Sequence, residues 1–142
     1  MDHVVYVDAK SKELEKILDG SKTMIIRGAA GRKLPHGRVS AGDVLYFIQN
    51  NGEGQVRARA VVAAALHSEK LSPAEAEQLV RENQDKLQLS PALAARWASK
   101  RYLVLVEIHP AEALQPFAID RSAYGNMDDW LPVGDIAAVR LP

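Results

Sequence analysis

Leu18-Asp19-Gly20-Ser21-Lys22-Thr23-Met24-Ile25-Ile26-Arg27 is the stretch from which the fold can be read. An amphipathic helix closes on a glycine, two polar residues and a lysine follow, and an apolar run ends on an arginine. Glycine takes the left-handed conformation without strain, and the last carbonyls of a helix carry partial negative charge, so Lys22 is expected close to the backbone at a helix end. Side chains of an extended strand alternate, which puts Thr23, Ile25 and Arg27 on one face and Lys22, Met24 and Ile26 on the other. The two cations would then border one anion-sized cleft only if the turn at Gly20 breaks the alternation. The competing reading is a surface lysine at a helix end and an arginine at a strand end.

Outward from this stretch, the 142 residues fit one domain, 1–142, long enough to bury a core without a staple. No cysteine is present, which excludes disulfides, a thiolate nucleophile and cysteine zinc sites. No apolar run approaches the roughly 20 residues of a membrane span, and the start lacks a signal-like pattern, so a soluble, cytoplasmic protein is expected. Eighteen basic and eighteen acidic side chains cancel. They are nevertheless segregated. Lys22 to Arg59 holds seven Lys/Arg against Asp43 and Glu53, whereas six acids face only Arg121 and Arg140 from Glu107 onward. Such asymmetry points to an anion-seeking face on a neutral body, or to a dipolar solvated surface.

Before the helix, His3 to Val7 reads as a short strand, with Asp8 or Ser11 as cap. Leu14, Ile17 and Leu18 form one apolar stripe on the helix. After the strand, Gly28 to Arg38 combines three glycines, a proline and basic side chains. This loop can cradle a phosphate or act as a mobile charged surface, but its spacing is not that of a Walker loop. Val44 to Ile48 and Val56 to Ala65 read as a hairpin around Asn50 to Gly54, with Arg57 and Arg59 as a cationic ladder needing an anionic partner or an acidic neighbour.

Ser72-Pro73-Ala74-Glu75 is a capping box that starts a helix to about Lys86, with Ala76, Leu79, Val80, Asn83 and Leu87 on one face and Glu82 on its flank. Ser90-Pro91 starts a second helix carrying Leu93, Ala94 and Trp97. Tyr102 to Ile108 is a strand buried on both faces, at the expected centre of the sheet. In the tail, Tyr124 and Trp130 form either an aromatic wall for a base or a plug for a barrel end, and Ile136 to Leu141 reads as a last strand. The fold class is α+β: a small, mainly antiparallel barrel with flanking and inserted helices.

Gly20, Lys22 and Arg27, preceded by Ile17-Leu18-Asp19 and followed by Val39-Ser40-Ala41-Gly42-Asp43-Val44-Leu45, are similar to the pattern G-x-K-x-x-E-x-R with a downstream Gly-Asp strand. The chain thereby resembles the ASCH domain, the activating-signal-cointegrator homology domain of the PUA-like superfamily, through to about Ile108. The resemblance implies a PUA-like β-barrel and a cleft that binds RNA, a nucleotide or a modified nucleoside. Lys22, Thr23, Arg27, Arg32, Lys33 and Arg38 are the implied ligand-binding residues, with Tyr124 or Trp130 stacking on a base. Some bacterial members hydrolyse the amide of N-acetylated cytidine with a lysine, a threonine three residues later and a glutamate in the helical insert. Lys22 matches the first and Glu82 the last, whereas Ile25 stands at the threonine and at the usual glutamate position. Binding is therefore preferred over hydrolysis, with Lys22 and Glu82 as the catalytic pair of an amidohydrolase or ribonuclease alternative. A third reading is a protein-interaction module using the acidic C-terminal third. No cofactor, membrane or DNA specificity is expected. The histidines, His3, His36, His67 and His109, lack paired metal-ligand spacing.

Overall fold

The computed structural model describes all 142 residues. Its strands are β1 (Asp2–Val7), β2 (Met24–Ala29), β3 (Val44–Gln49), β4 (Gln55–His67), β5 (Tyr102–Ile108), β6 (Glu112–Ala118) and β7 (Trp130–Gly134). Helix α1 (Glu13–Leu18) links β1 to β2. Helices α2 (Pro73–Glu82), α3 (Gln84–Leu87) and α4 (Pro91–Ala98) lie between β4 and β5. One curled sheet runs β2-β5-β4-β3-β1-β7, antiparallel except for β1 beside β3. The 13-residue β4 holds it together. Its first half pairs with β3 on one edge and β6 on the other, and its second half, from Val62, pairs with β5 through an irregularity between Val62 and Ala64. β2 and β7 end the path, so the barrel is only half-closed.

Strand alternation sorts the apolar residues into three clusters. Val5, Ile25, Leu45, Phe47, Val62, Val104, Val106 and Trp130 fill the inside of the curl, which α1 closes with Leu14 and Ile17. Met24, Ile26, Leu103 and Leu105 face outward under Ala76, Val80 and Leu87 of the helical insert. Val4, Tyr46, Ile48, Val56, Phe117 and Leu131 form a third cluster joined by Tyr124. The run from Tyr102 to Ile108 is thus buried on both faces as expected, although β5 lies one strand in from an edge and β4 takes the middle. Gly28 is fixed by packing: a Cβ there would lie 2.6 Å from Leu103 Cδ2.

Several boundaries differ from the sequence reading. The capping box at Ser72 forms, but α2 stops at Glu82 and Asn83 separates it from α3 instead of letting one helix continue to Lys86. Asn83 Nδ2 donates to the Leu79 carbonyl at 2.9 Å, an alternative to further helix typical of this residue. Ile136–Ala138 is a single 3-10 turn with a lone bridge from Arg140 to Ile119, not a final strand. The β4 arginines are matched by the protein's own acids, Arg57 by Glu53 and Arg59 by Glu112. Being exposed, such pairs are screened by water and contribute little to stability.

Inside the curl, Trp130 Nε1 donates to His3 Nδ1 at 3.0 Å, and His3 Nε2 lies 2.9 Å from Asp43 Oδ2. An indole N–H only donates, so His3 is neutral with its proton on Nε2, directed at Asp43. Burial lowers the His3 pKa, and the Asp43 hydrogen bond only partly offsets this. A second proton would sit against the Trp130 donor. The unfolded chain protonates His3 near its ordinary 6.5 while the fold resists, so stability is full above that pH and falls below it, at most about 1.4 kcal/mol per pH unit. Urea titrations between pH 7.5 and 5 are expected to show this slope, and His3→Gln to flatten it.

Candidate functional site

Because β2 pairs only with β5, its other edge is free, and a cleft of about 210 Å³ opens along it. Lys22, Ile26 and Arg27 form the floor. Tyr6, Asp8, Ser11, Glu13, Lys16 and Asn50 line one side, and Gln88, Leu89, Leu93, Arg96 and Trp97 of the helical insert the other, with Asp129 at the end of the preceding loop to β7. Lys22 and Arg27 do share a hollow, although the strand alternation is kept. Lys22 lies on the helix side with Met24 and Ile26, Arg27 on the barrel side with Ile25, and both border the same unpaired edge. Gly20 adopts φ +82° after α1, as a helix-ending glycine should.

Lys22 is 2% exposed. Its Nζ donates to the Leu87 carbonyl at 2.5 Å and lies 3.5 Å from Glu13 Oε2. The Thr23 backbone ties this point down, its N–H donating to Lys86 and its carbonyl accepting from Ile108, each at 3.0 Å. Burial lowers the Lys22 pKa, against the opposing charge and hydrogen bond of Glu13. Glu13 is itself fixed, since Oε1 accepts from the Asp8 N–H at 2.8 Å while Asp8 Oδ2 accepts from the Ser11 N–H at 3.1 Å. Neither Asp8 nor Ser11 caps α1 as expected: its N-cap is Lys12, in the left-handed conformation and without a side-chain cap bond, and Asp8 instead braces the turn before the helix.

Arg27 is 9% exposed. Nη1 donates to the Ile26 carbonyl at 2.9 Å and Nη2 to the Tyr6 carbonyl at 2.6 Å. Nε lies 3.3 Å from Asp129 Oδ2, and the guanidinium carbon is 5.8 Å from the Trp130 ring centre. The hollow is thus not poor in negative charge: Asp8, Glu13 and Asp129 accompany the cations. Lys16 and Arg96 carry no acidic partner, and Arg96 lies 5.0 Å from the Trp97 ring centre.

Other residues expected at the site lie elsewhere. Glu82 is exposed at the end of α2, where Oε1 accepts from Gln78 at 2.7 Å, so the carboxylate beside Lys22 is Glu13. Thr23 faces a separate small hollow beside His109 and Pro110. The 28–38 loop does not border the cleft. Arg32 pairs with Glu69 and lies 5.6 Å from the Tyr102 ring centre, Lys33 sits near Met127 and Asp128, and Arg38 is exposed. His67 holds the loop in place, accepting at Nδ1 from the Gly37 N–H at 2.9 Å. Tyr124 packs on the third cluster, and Trp130 is the barrel plug. The aromatic side chains of the cleft are Tyr6 and Trp97. Trp97 belongs to the apolar stripe of α4, and an amphipathic stripe does not reveal which rim of a helix borders a cleft.

The Lys22 environment carries its own test. Glu13→Gln removes the nearest charge favouring the ammonium, so the Lys22 pKa is expected to fall further. The measurement is the 13Cε shift titration, and an unchanged midpoint would count against the Glu13 contact.

The sequence matches no protein-family model, and no curated protein is found as a relative. Solved structures are similar in shape. ASCH from Zymomonas mobilis aligns with a TM-score of 0.69 at 11% identity, covering 99% of this chain and 96% of that one. A tyrosine-to-phenylalanine mutant of the same protein gives 0.69 at 11% identity over 99% of each chain, and a serine-to-alanine mutant 0.68 at 12% over 91% and 85%. The half-closed α+β barrel and its helical insert are therefore those of an ASCH-domain fold.

Proposed function

We propose that this ASCH-fold protein binds a nucleotide or modified nucleoside, free or within RNA, in the cleft along the free edge of β2, acting as one domain in the cytoplasm. The observation that carries the reading is a single hollow joining four cations, Lys16, Lys22, Arg27 and Arg96, to the rings of Tyr6 and Trp97 and the amides of Asn50 and Gln88. Its volume of about 210 Å³ is below the roughly 300–1,000 Å³ of sites for drug-sized ligands, which suits one nucleoside unit. A base stacks on Trp97, the amides read its edge, and the unpaired Lys16 and Arg96 draw phosphate in from the rim toward the floor of the cleft. The acidic side chains already beside Lys22 and Arg27 favour a ligand that brings hydrogen-bond donors as well as charge.

Fluorescence titration with mononucleotides and short single-stranded RNA tests this reading. Affinity for RNA is expected to fall with rising salt, Lys16→Ala and Arg96→Ala each to lower the salt slope by about one, and Trp97→Phe to weaken binding several-fold. Salt-independent binding, indifferent to Arg96 and Trp97, would place the ligand elsewhere.

A hydrolytic reading is favoured by one observation, the buried Lys22 Nζ 3.5 Å from Glu13 in a cleft. Lys22 and Glu13 would shuttle protons while water adds to an amide carbonyl and the C–N bond breaks to release acid and amine. Chromatography of N-acetylcytidine incubated with the protein is then expected to show cytidine, with turnover lost in Glu13→Gln and kept in Glu82→Gln.

A further inference from the structure

We propose that Arg27 and Asp129 form a displaceable anion subsite in the cleft, in which a ligand phosphate takes the position now held by the Asp129 carboxylate. The guanidinium is nine-tenths buried and locked from behind by the carbonyls of Ile26 and Tyr6, at 2.9 and 2.6 Å. Trp130 stands beside it. Two of its five N–H donors are used by those carbonyls, and the Nε–H is buried and has no hydrogen-bond partner. Asp129 Oδ2 is 3.3 Å away without making that bond, and no donor holds the Asp129 side chain, which is 61% exposed. Only its main chain is anchored, the carbonyl accepting from the Tyr6 N–H at 2.9 Å.

The two halves of this pair are therefore unequal. A buried cation whose Nε–H is sealed from water without a partner has a strong demand for an anion, whereas an exposed carboxylate loses little by turning to water. A phosphate oxygen can accept from Nε–H, and Lys22 on the same floor adds attraction. While Asp129 is in place, only the fraction of molecules with the carboxylate swung out can bind, which lowers the apparent affinity by that fraction. The subsite thus selects for ligands carrying a compact oxyanion strong enough to displace an internal competitor. The identity of the ligand as a nucleotide rests on the function proposed above, but the displacement itself does not.

Inorganic phosphate is the first probe, titrated at constant ionic strength into 15N-labelled protein while the Arg27 Nε–H resonance is followed. Asp129→Asn lies on an exposed side chain and is expected to tighten phosphate binding about fivefold, the worth of one weak ion pair. The Arg27 Nε–H resonance is expected to move to saturation in wild type and variant alike. A nucleoside monophosphate should gain the same factor, and the uncharged nucleoside none. Arg27→Gln should abolish the phosphate response. If it fails to fold, the Asp129→Asn comparison and the Nε–H resonance decide alone. Phosphate affinity unchanged or weakened by Asp129→Asn, or an Nε–H resonance unmoved at saturating phosphate, overturns the proposal. A phosphate gain with no nucleoside binding in any variant supports the subsite and tells against the nucleotide reading.

Discussion

A missing strand pair governs the molecule. β2 is bonded along one edge only, and across its free edge the Arg27 side chain reaches to the Tyr6 carbonyl of β1. A side chain can satisfy one carbonyl but cannot fill the width of a strand, so a cleft remains beside it. The helical insert covers the outer face of β2 and β5 and supplies the far wall. The opening is thus a consequence of sheet topology, and its polar lining follows from exposing strand edge and helix termini in one place.

Two buried cations at such an edge need compensation, since removing a charge from water costs several kcal/mol without good partners. Lys22 and Arg27 answer this differently. Lys22 takes a carbonyl from α3 and a carboxylate from α1, two elements anchored by packed side chains, Leu87 and Leu14, so its surroundings are fixed. Arg27 relies on main-chain carbonyls and on an exposed aspartate. One cation is therefore structural and acid-matched, while the other is held rigidly in position with its charge loosely balanced. Ile25 between them is fully buried in the barrel core, where the motif that the stretch resembles has a glutamate. Arg27 takes its acid from a loop instead.

Much of the fold was legible because it rests on short-range patterns. Gly20 marks the helix end, the Ser72 box and the Ser90-Pro91 pair mark two helix starts, and the unbroken run of Tyr102 to Ile108 marks a strand covered on both sides. The site was less legible because proximity across the cleft depends on chain paths that spacing does not encode. Glu82 sits on the flank its periodicity predicted, but α2 ends there and points that flank at solvent. Asn83, read as part of the buried stripe, is the residue at which the helix breaks, and α3 after it is what brings the Leu87 carbonyl to Lys22. Glu13 is one of two acids in the first turn of a six-residue helix, and nothing in its spacing singles it out as the partner of Lys22.

Charge counted along the chain was the least faithful guide, for a reason that is general to sheets. The basic segment from Lys22 to Arg59 and the acidic one after Glu107 are far apart in sequence, yet β6 and the loop before β7 fold back beside β4 and β1. Glu112 thereby meets Arg59 and Asp129 meets Arg27, while Glu69 and Glu53 meet Arg32 and Arg57. Segregation in sequence becomes neutralisation in space, because antiparallel pairing sets distant segments side by side. The cleft cations left without an acid, Lys16 on α1 and Arg96 on α4, lie outside the segment whose count drew attention. An anionic ligand entering the cleft responds to these residual charges and to the weakness of each internal pair, so the field at the site is decided by how firmly each acid is held rather than by how many bases surround it.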